Sequence, residues 1–143
     1  MKKIVLILLL ITCGMYAQPN RSEKIKAIKT AYITEQLDLS SSEAEKFWPI
    51  YNEYEAKMLA LRKNGRQEVY KKIRDGIDSM SDVEANQLLD KFLGFKAKEL
   101  SNNQDLVSDL RKVLSPKKIL KLKKVEEDFK KKLLERFKRR KNR

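Results

Sequence analysis

Apolar residues recur every three or four positions along most of the chain. In the segment that holds the only tryptophan, they are Phe47, Tyr51, Tyr54, Met58 and Leu61. This spacing places them on one face of a helix. Similar stripes follow further along, and no segment sustains an alternation of apolar and polar residues. The pattern therefore predicts an all-α fold without a sheet.

Start and stop signals divide these stripes into four predicted helices. The first runs from about Ser22 to Leu37, and the second from Ser40 past a weak point at Asn64 and Gly65 to a stop between Asp75 and Ser79. The third runs from Ser81 through the polar stretch Ser101–Asn103 to Val113. The fourth opens at Ser115 and extends to about residue 140, with its apolar stripe ending at Phe137. The helices are long and their apolar stripes are narrow. They could close into a compact bundle, or form a long bent hairpin that completes its core by antiparallel dimerisation.

Pro49 lies inside the second predicted helix. Proline removes one amide donor, and its ring clashes with the carbonyl four residues earlier. Such a residue is a common cause of helix kinks. We therefore expect a kink or a break near Lys46 and Phe47.

Three helix starts share one form, in which a large apolar residue precedes a serine and a long polar residue follows three positions later. They are Leu39-Ser40 with Glu43, Met80-Ser81 with Glu84, and Leu114-Ser115 with Lys118. Serine accepts from a free amide of the first turn, and a glutamate at the third position can reach back to the serine amide. The pattern indicates helix capping and not a chemical site.

The first 17 residues have the features of a signal peptide. Lys2 and Lys3 precede an apolar run too short to span a bilayer, and Ala17 is a plausible cleavage point. We expect an exported, periplasmic protein with a single helical domain over residues 18–143. A second interpretation is a lipoprotein that is lipidated at Cys13.

Positive charge is concentrated in the last predicted helix, about residues 116–140. Residues 111–143 hold 16 basic and 4 acidic residues, whereas residues 18–110 hold 15 basic and 16 acidic ones. This asymmetry indicates an acidic partner or surface for the C-terminal part. An exported protein rarely meets nucleic acid, so nucleic-acid binding is disfavoured despite the charge.

The composition argues against catalysis and metal binding. There is no histidine, and Cys13 is the only cysteine, so neither a usual general base nor a soft metal site can be assembled. The sequence also has no glycine-rich phosphate loop. We predict no enzyme activity, no cofactor and no metal.

The helix starts at Leu39, Ser40 and Glu43 and at Leu114 and Ser115 resemble the Leu-Thr-x-x-Gln motif of the Spy/CpxP-like periplasmic proteins, with serine in place of threonine. The stretch from Phe47 to Arg62 is similar to their flavobacterial branch, often labelled "sensor of ECF-type sigma factor". The resemblance implies a bent helical hairpin, commonly an antiparallel dimer. It also implies an ATP-independent chaperone or a modulator of an envelope-stress sensor.

We therefore expect the protein to bind polypeptide, either unfolded or acidic clients or a membrane-anchored stress sensor. The predicted partner-binding residues are an aromatic group and a basic group: Trp48, Tyr51, Tyr54, Lys117, Lys118, Lys121, Lys123 and Lys124. Core packing is the alternative role for the aromatic residues. The alternative function is docking of the basic helix on anionic lipid or lipopolysaccharide.

Overall fold

The computed structural model describes residues 21–141. The predicted signal peptide, its cleavage after Ala17 and the lipidation of Cys13 lie outside these residues. The chain separates into two compact units, residues 1–32 and residues 33–143. The described part of the first unit is residues 21–32, which form the first turns of a helix. The second unit holds the end of that helix and all the later elements.

The described chain is helical throughout, and its elements follow one another with short turns. In order they are α1 (Arg21–Leu37), α2 (Ser41–Gly65), a π-helical turn (Arg66–Tyr70), α3 (Lys71–Gly76), a 3-10 turn (Ile77–Ser79), α4 (Asp82–Leu110) and α5 (Pro116–Lys141). Because α2, the π turn and α3 are continuous, residues 21–141 form four long helical segments and no strand. The all-α, four-helix prediction is confirmed, and the dimer stays a prediction.

The turn between α1 and α2 is closed by local hydrogen bonds. Asp38 has a positive φ of 50°, and the amides of Asp38 and Leu39 donate to the carbonyls of Glu35 and Thr34. This pair of bonds is the Schellman ending of a helix. Ser40 then caps α2, with Glu43 returning to the Ser40 amide, so the predicted capping box is confirmed.

The second predicted helix has its irregularity at Gly65 and not at Pro49. Helix α2 continues through Pro49 from Ser41 to Gly65, so a break near Lys46 and Phe47 is wrong, and the kink stays a prediction. Pro49 removes only one donor, and the buried aromatic face on either side keeps the helix together. The weak point predicted at Asn64 and Gly65 is confirmed, because the π turn begins directly after Gly65.

Helix α4 runs antiparallel to α2 and packs on it. Gly65 lies opposite Phe95, whose ring is 3.6 Å from the position of an added Cβ, and Asn102 donates to the Met58 sulfur at 3.7 Å. The helix begins at a capping box formed by Ser81 and Glu84, as predicted. The polar stretch Ser101–Asn103 does not interrupt it.

Helix α5 begins at Pro116, with the Ser115 hydroxyl accepting from the Lys118 amide at 3.3 Å. The predicted cap at Ser115 is therefore confirmed. Proline suits this first position because its missing donor would have no partner in the helix. The described helix continues to Lys141, four residues beyond the predicted end of the stripe at Phe137.

Burial in the second unit is unevenly distributed along the helices. The buried apolar side chains are Ile33, Leu37, Phe47, Tyr51, Tyr54, Met58, Val69, Leu88, Leu106, Leu110, Leu114, Ile119, Leu122, Val125 and Phe129. Between Leu59 and Asp105 only Val69 and Leu88 belong to this set. The core therefore lies where α5 covers α2 and α4. The continuous segment from α2 to α3 and the antiparallel helix α4 form the two arms of a helical hairpin. The end of this hairpin near the 3-10 turn has far fewer buried side chains.

Candidate functional site

The three aromatic residues predicted to bind a partner are part of one ring cluster. Phe47 and Tyr51 stack with ring centroids 5.2 Å apart, and Trp48 meets both rings edge-on. Tyr51 is only 1% exposed and Tyr54 is 8% exposed, whereas Trp48 is half-buried. As folded here, Tyr51 and Tyr54 offer almost no surface to a partner, and their aromatic faces serve the core.

The hydroxyl of Tyr51 makes a short bond to another helix. It donates to Glu126 Oε1 at 2.6 Å, which connects α2 to α5. Burial raises the pKa of Tyr51 far above its ordinary value of 10, and the nearby Glu126 charge adds to the effect. The phenol therefore stays protonated and acts as a fixed donor between the two helices.

Asn103 joins three helices at the next turn. Its Oδ1 accepts from Tyr54 on α2 at 3.0 Å and from Lys123 on α5 at 3.2 Å. Its Nδ2 donates to the Glu99 carbonyl at 2.8 Å. Sequence reasoning treated Asn103 as a polar interruption, and its role depends on helix positions that no local pattern reveals.

The predicted basic residues of α5 fall into two groups. Lys118 and Lys123 are half-buried and point to α2 and α4, where Lys118 donates to Glu43 and to the Asp38 carbonyl, each at 2.7 Å. Lys117, Lys121 and Lys124 are exposed, although Lys124 also pairs with Asp128. Only the exposed lysines are placed to meet a partner.

An apolar groove, which sequence reasoning missed, lies between the two arms of the hairpin. Its inner part has a volume of about 360 Å³. The lining residues are Met58, Leu61, Arg62, Gly65, Arg66, Val69, Tyr70, Phe92, Phe95, Lys96 and Glu99. Tyr70 and Phe92 meet edge-on across it with ring centroids 6.4 Å apart.

A second, outer part of the groove lies nearer the 3-10 turn and has a volume of about 340 Å³. The lining residues are Ile73, Ile77, Met80, Ala85, Leu88, Leu89 and Phe92. Phe92 lines both parts, so we treat them as one feature and call it the hairpin groove. Both volumes are within the range of small-ligand pockets, and the outer part has only apolar side chains.

The hairpin groove is open to solvent along its length. Tyr70, Ile77 and Leu89 are each more than half exposed although they line it. The Tyr51–Glu126 and Asn103–Lys123 bonds place α5 over the neighbouring stretch of the hairpin, but no α5 residue is among the groove-lining side chains. Contiguous exposed apolar surface of this kind commonly marks a binding site.

Positive charge lies at the inner part of the groove. Arg62 and Arg66 are exposed there and have no acidic partner within the described residues. Lys96 lies 5.8 Å from the centroid of Phe92 and pairs with Glu99 at 3.0 Å. The inner rim therefore has two cations that are available to an acidic ligand.

Helix α5 presents a second exposed surface. Leu120 is 75% exposed and Leu134 is 51% exposed. They are two heptads apart and share a face with exposed lysines that include Lys117, Lys124 and Lys131. This surface combines positive charge with isolated apolar side chains.

No cluster of three or more acidic, cysteine or histidine residues able to hold a metal ion occurs within residues 21–141. None of the described helices combines the length and the hydropathy needed to cross a membrane. No family model, curated protein or solved structure matches the chain.

Proposed function

We propose that this is an exported protein that binds polypeptide without ATP. Its clients are unfolded chains, or its partner is the sensor domain of an envelope-stress membrane protein. The observation that carries the proposal is the hairpin groove, an open apolar surface between two helices. The resemblance at Leu39, Ser40 and Glu43 to the Spy/CpxP-like motif supports the same class of function.

In this proposal one surface attracts the polypeptide from a distance, and a different surface binds it. The exposed lysines of α5, among them Lys117 and Lys121, attract acidic chains over a distance. The exposed apolar side chains of the groove, such as Ile77 and Leu89, then hold the chain by burial. The half-buried Trp48 is at most a secondary contact, because Phe47 and Tyr51 cover part of its ring.

Aggregation of a chemically unfolded acidic protein, followed by light scattering without ATP, tests this proposal. We expect the purified protein to suppress aggregation, and Leu89→Glu to remove most of the effect. Leu93→Glu is the matched control, because Leu93 is equally exposed on the same helix but does not line the groove. Equal suppression by both variants would place the contact surface elsewhere.

Salt dependence tests the contribution of α5. Neutralising Lys117 and Lys121 together should slow association with the client at low salt and have little effect at high salt, because exposed charges are screened. Folded protein with no suppression at either salt concentration would contradict chaperone activity.

Docking on an anionic surface is the second candidate function, favoured by exposed Leu120 and Leu134 on the lysine-rich face of α5. Polybasic helices bind anionic lipid through charge, and apolar side chains add to the affinity. Sedimentation with phosphatidylglycerol vesicles, but not with phosphatidylcholine vesicles, would support it. Sedimentation that does not depend on residues 130–143 would exclude it.

A further inference from the structure

We infer that the hairpin groove receives an amphipathic helix whose apolar face is flanked by acidic residues. The inference rests on the proposed polypeptide-binding function and specifies the conformation and charge of the bound segment. Four features support it: the helical walls of the groove, the length of the groove, the packing of α5 on the adjoining part of the hairpin, and the charges on the rim.

The walls of the groove favour a ligand whose backbone amides and carbonyls are already hydrogen-bonded to one another. Apart from Met80, the lining residues lie in helical segments, whose backbone donors and acceptors are largely bonded within the segment. An extended chain in the apolar outer part would leave its amides and carbonyls without partners, which is unfavourable. A helix satisfies these groups internally and presents only side chains to Ile73, Leu88 and Phe92.

The length of the groove matches a helix of ordinary size. It extends along one arm from Met58 to Ile77 and along the other from Ala85 to Glu99. At 1.5 Å per residue, the longer arm spans about 28 Å, which corresponds to a helix of roughly 18 residues. Such a segment would contact the groove at every third or fourth position.

The adjoining part of the hairpin already shows this kind of packing. There α5 lies over α2 and α4, with Glu126 bonded to Tyr51 and Lys123 bonded to Asn103. None of the groove-lining side chains in the described part of the chain comes from α5. A bound helix would lie against the groove as α5 lies against the adjoining part of the hairpin.

The rim charges select an acidic helix. Arg62 and Arg66 have no acidic partner among the described residues, whereas Lys96 is already paired with Glu99. A second copy of the chain is a poorer match, because the chain has a net charge of +13 and two copies repel each other over a distance. Its hairpin end does present acidic residues, including exposed Asp78 and Asp82, so the oligomeric state is measured as well.

Designed peptides of 18 residues test the inference by fluorescence anisotropy at low salt. One peptide has a leucine stripe at helical spacing flanked by glutamates, the second has lysines in place of the glutamates, and the third has the glutamates with the leucines scrambled. We expect the first to bind at least tenfold more tightly than either of the others and to gain helical circular dichroism. Equal binding of the scrambled peptide would overturn the inference.

Protein variants then assign the site. Arg62→Gln with Arg66→Gln should weaken binding of the glutamate peptide roughly tenfold, since exposed charge pairs contribute modestly. Lys63→Gln with Lys71→Gln is the matched control, because both lysines are exposed on the same arm and line neither part of the groove. Equal losses in both double variants would overturn the inference.

Two further measurements separate this inference from the function on which it rests. Suppression of client aggregation without binding of the glutamate peptide would leave the proposed function in place and contradict the helix-binding groove. Sedimentation of the protein alone that shows a dimer, and a monomer for Leu89→Glu, would assign the groove to a second copy and also contradict it.

Discussion

Lys118 Nζ lies 2.7 Å from Glu43 Oε2, which links the third residue of α5 to the third residue of α2. Glu43 Oε2 also accepts from the Ser40 amide at 2.9 Å. The same carboxylate therefore caps its own helix and holds the start of another. Lys118 completes the junction by donating to the carbonyl of Asp38, the first residue of the α1–α2 turn.

Acid should weaken this junction. The bond from Lys118, followed by the Ser40 amide, lowers the pKa of Glu43 below its ordinary value of 4.5. A lowered pKa gives stability that is present above 4.5 and is lost as the pH falls through the folded-state value. We expect Glu43→Gln to reduce the pH dependence of the free energy of unfolding between pH 7 and pH 3, measured by urea denaturation.

Glu84→Gln is the control for this experiment. The pKa of Glu84 is also lowered, but by the bonds from Ser81 within its own capping box and without a bond from another helix. Its substitution should reduce the pH dependence less than Glu43→Gln does. An unchanged pH dependence in Glu43→Gln would show that the Lys118 bond does not form in solution.

Removing the amide of Asn103 should destabilise the protein. Asn103→Ala leaves the Tyr54 hydroxyl and Lys123 without their shared acceptor. We expect a loss of about 1–3 kcal/mol in the free energy of unfolding, the usual effect of leaving a partly buried donor unpaired. Gln104→Ala is the matched control, because Gln104 is exposed on the next position of α4. Losses of equal size would contradict the three-helix role.

The free energy of unfolding should fall at alkaline pH because of Tyr51. Because burial raises its pKa far above 10, the folded state retains a proton that the unfolded state loses. The resulting stability is complete below about pH 10 and declines as the pH rises further. Urea denaturation between pH 9 and pH 11 should show this decline, and Tyr51→Phe should reduce it. Tyrosine absorbance that titrates fully near pH 10 without unfolding would be inconsistent with the buried phenol.

Gly65 offers a stabilising substitution beside the groove. Its φ is −58°, and an added Cβ would contact the Phe95 ring at the ordinary distance of 3.6 Å. Gly65→Ala should raise the free energy of unfolding by roughly 1 kcal/mol through helix propensity. Gly94→Ala is the control, because its Cβ would meet nothing within 4 Å. Stabilisation by Gly94→Ala together with destabilisation by Gly65→Ala would indicate a closer approach of α2 and α4.

Much of the fold was predictable because its signals are local. Ser40 with Glu43 and Ser81 with Glu84 form capping boxes within four residues, so the helix starts follow from the sequence alone. The break predicted at Pro49 does not occur, because one missing bond is outweighed by the packed aromatic face around it. Local rules describe a tendency to bend, and tertiary packing decides the result.

The site was less predictable because it depends on which apolar stripes remain uncovered. Ile73, Ile77 and Leu89 resemble core residues in the sequence, yet they line an open groove. The aromatic run was predicted to bind a partner because of its composition. Its residue Tyr51, however, is buried in the core. Likewise, Lys118 matched a motif position, but its partner Glu43 is 75 residues away.

The π turn at Arg66–Tyr70 determines which side chains the outer hairpin offers. Gly65, Val69, Ile73 and Ile77 are spaced four residues apart, whereas an α-helix completes a turn in 3.6 residues. Without the π turn, the inward positions would shift toward Lys72 and Gly76. A deletion of one residue between 66 and 70 would convert the π turn into a regular α-helix and would keep Ile73 and Ile77 on the groove side. The π turn therefore absorbs one additional residue in this arm without changing which side chains line the groove.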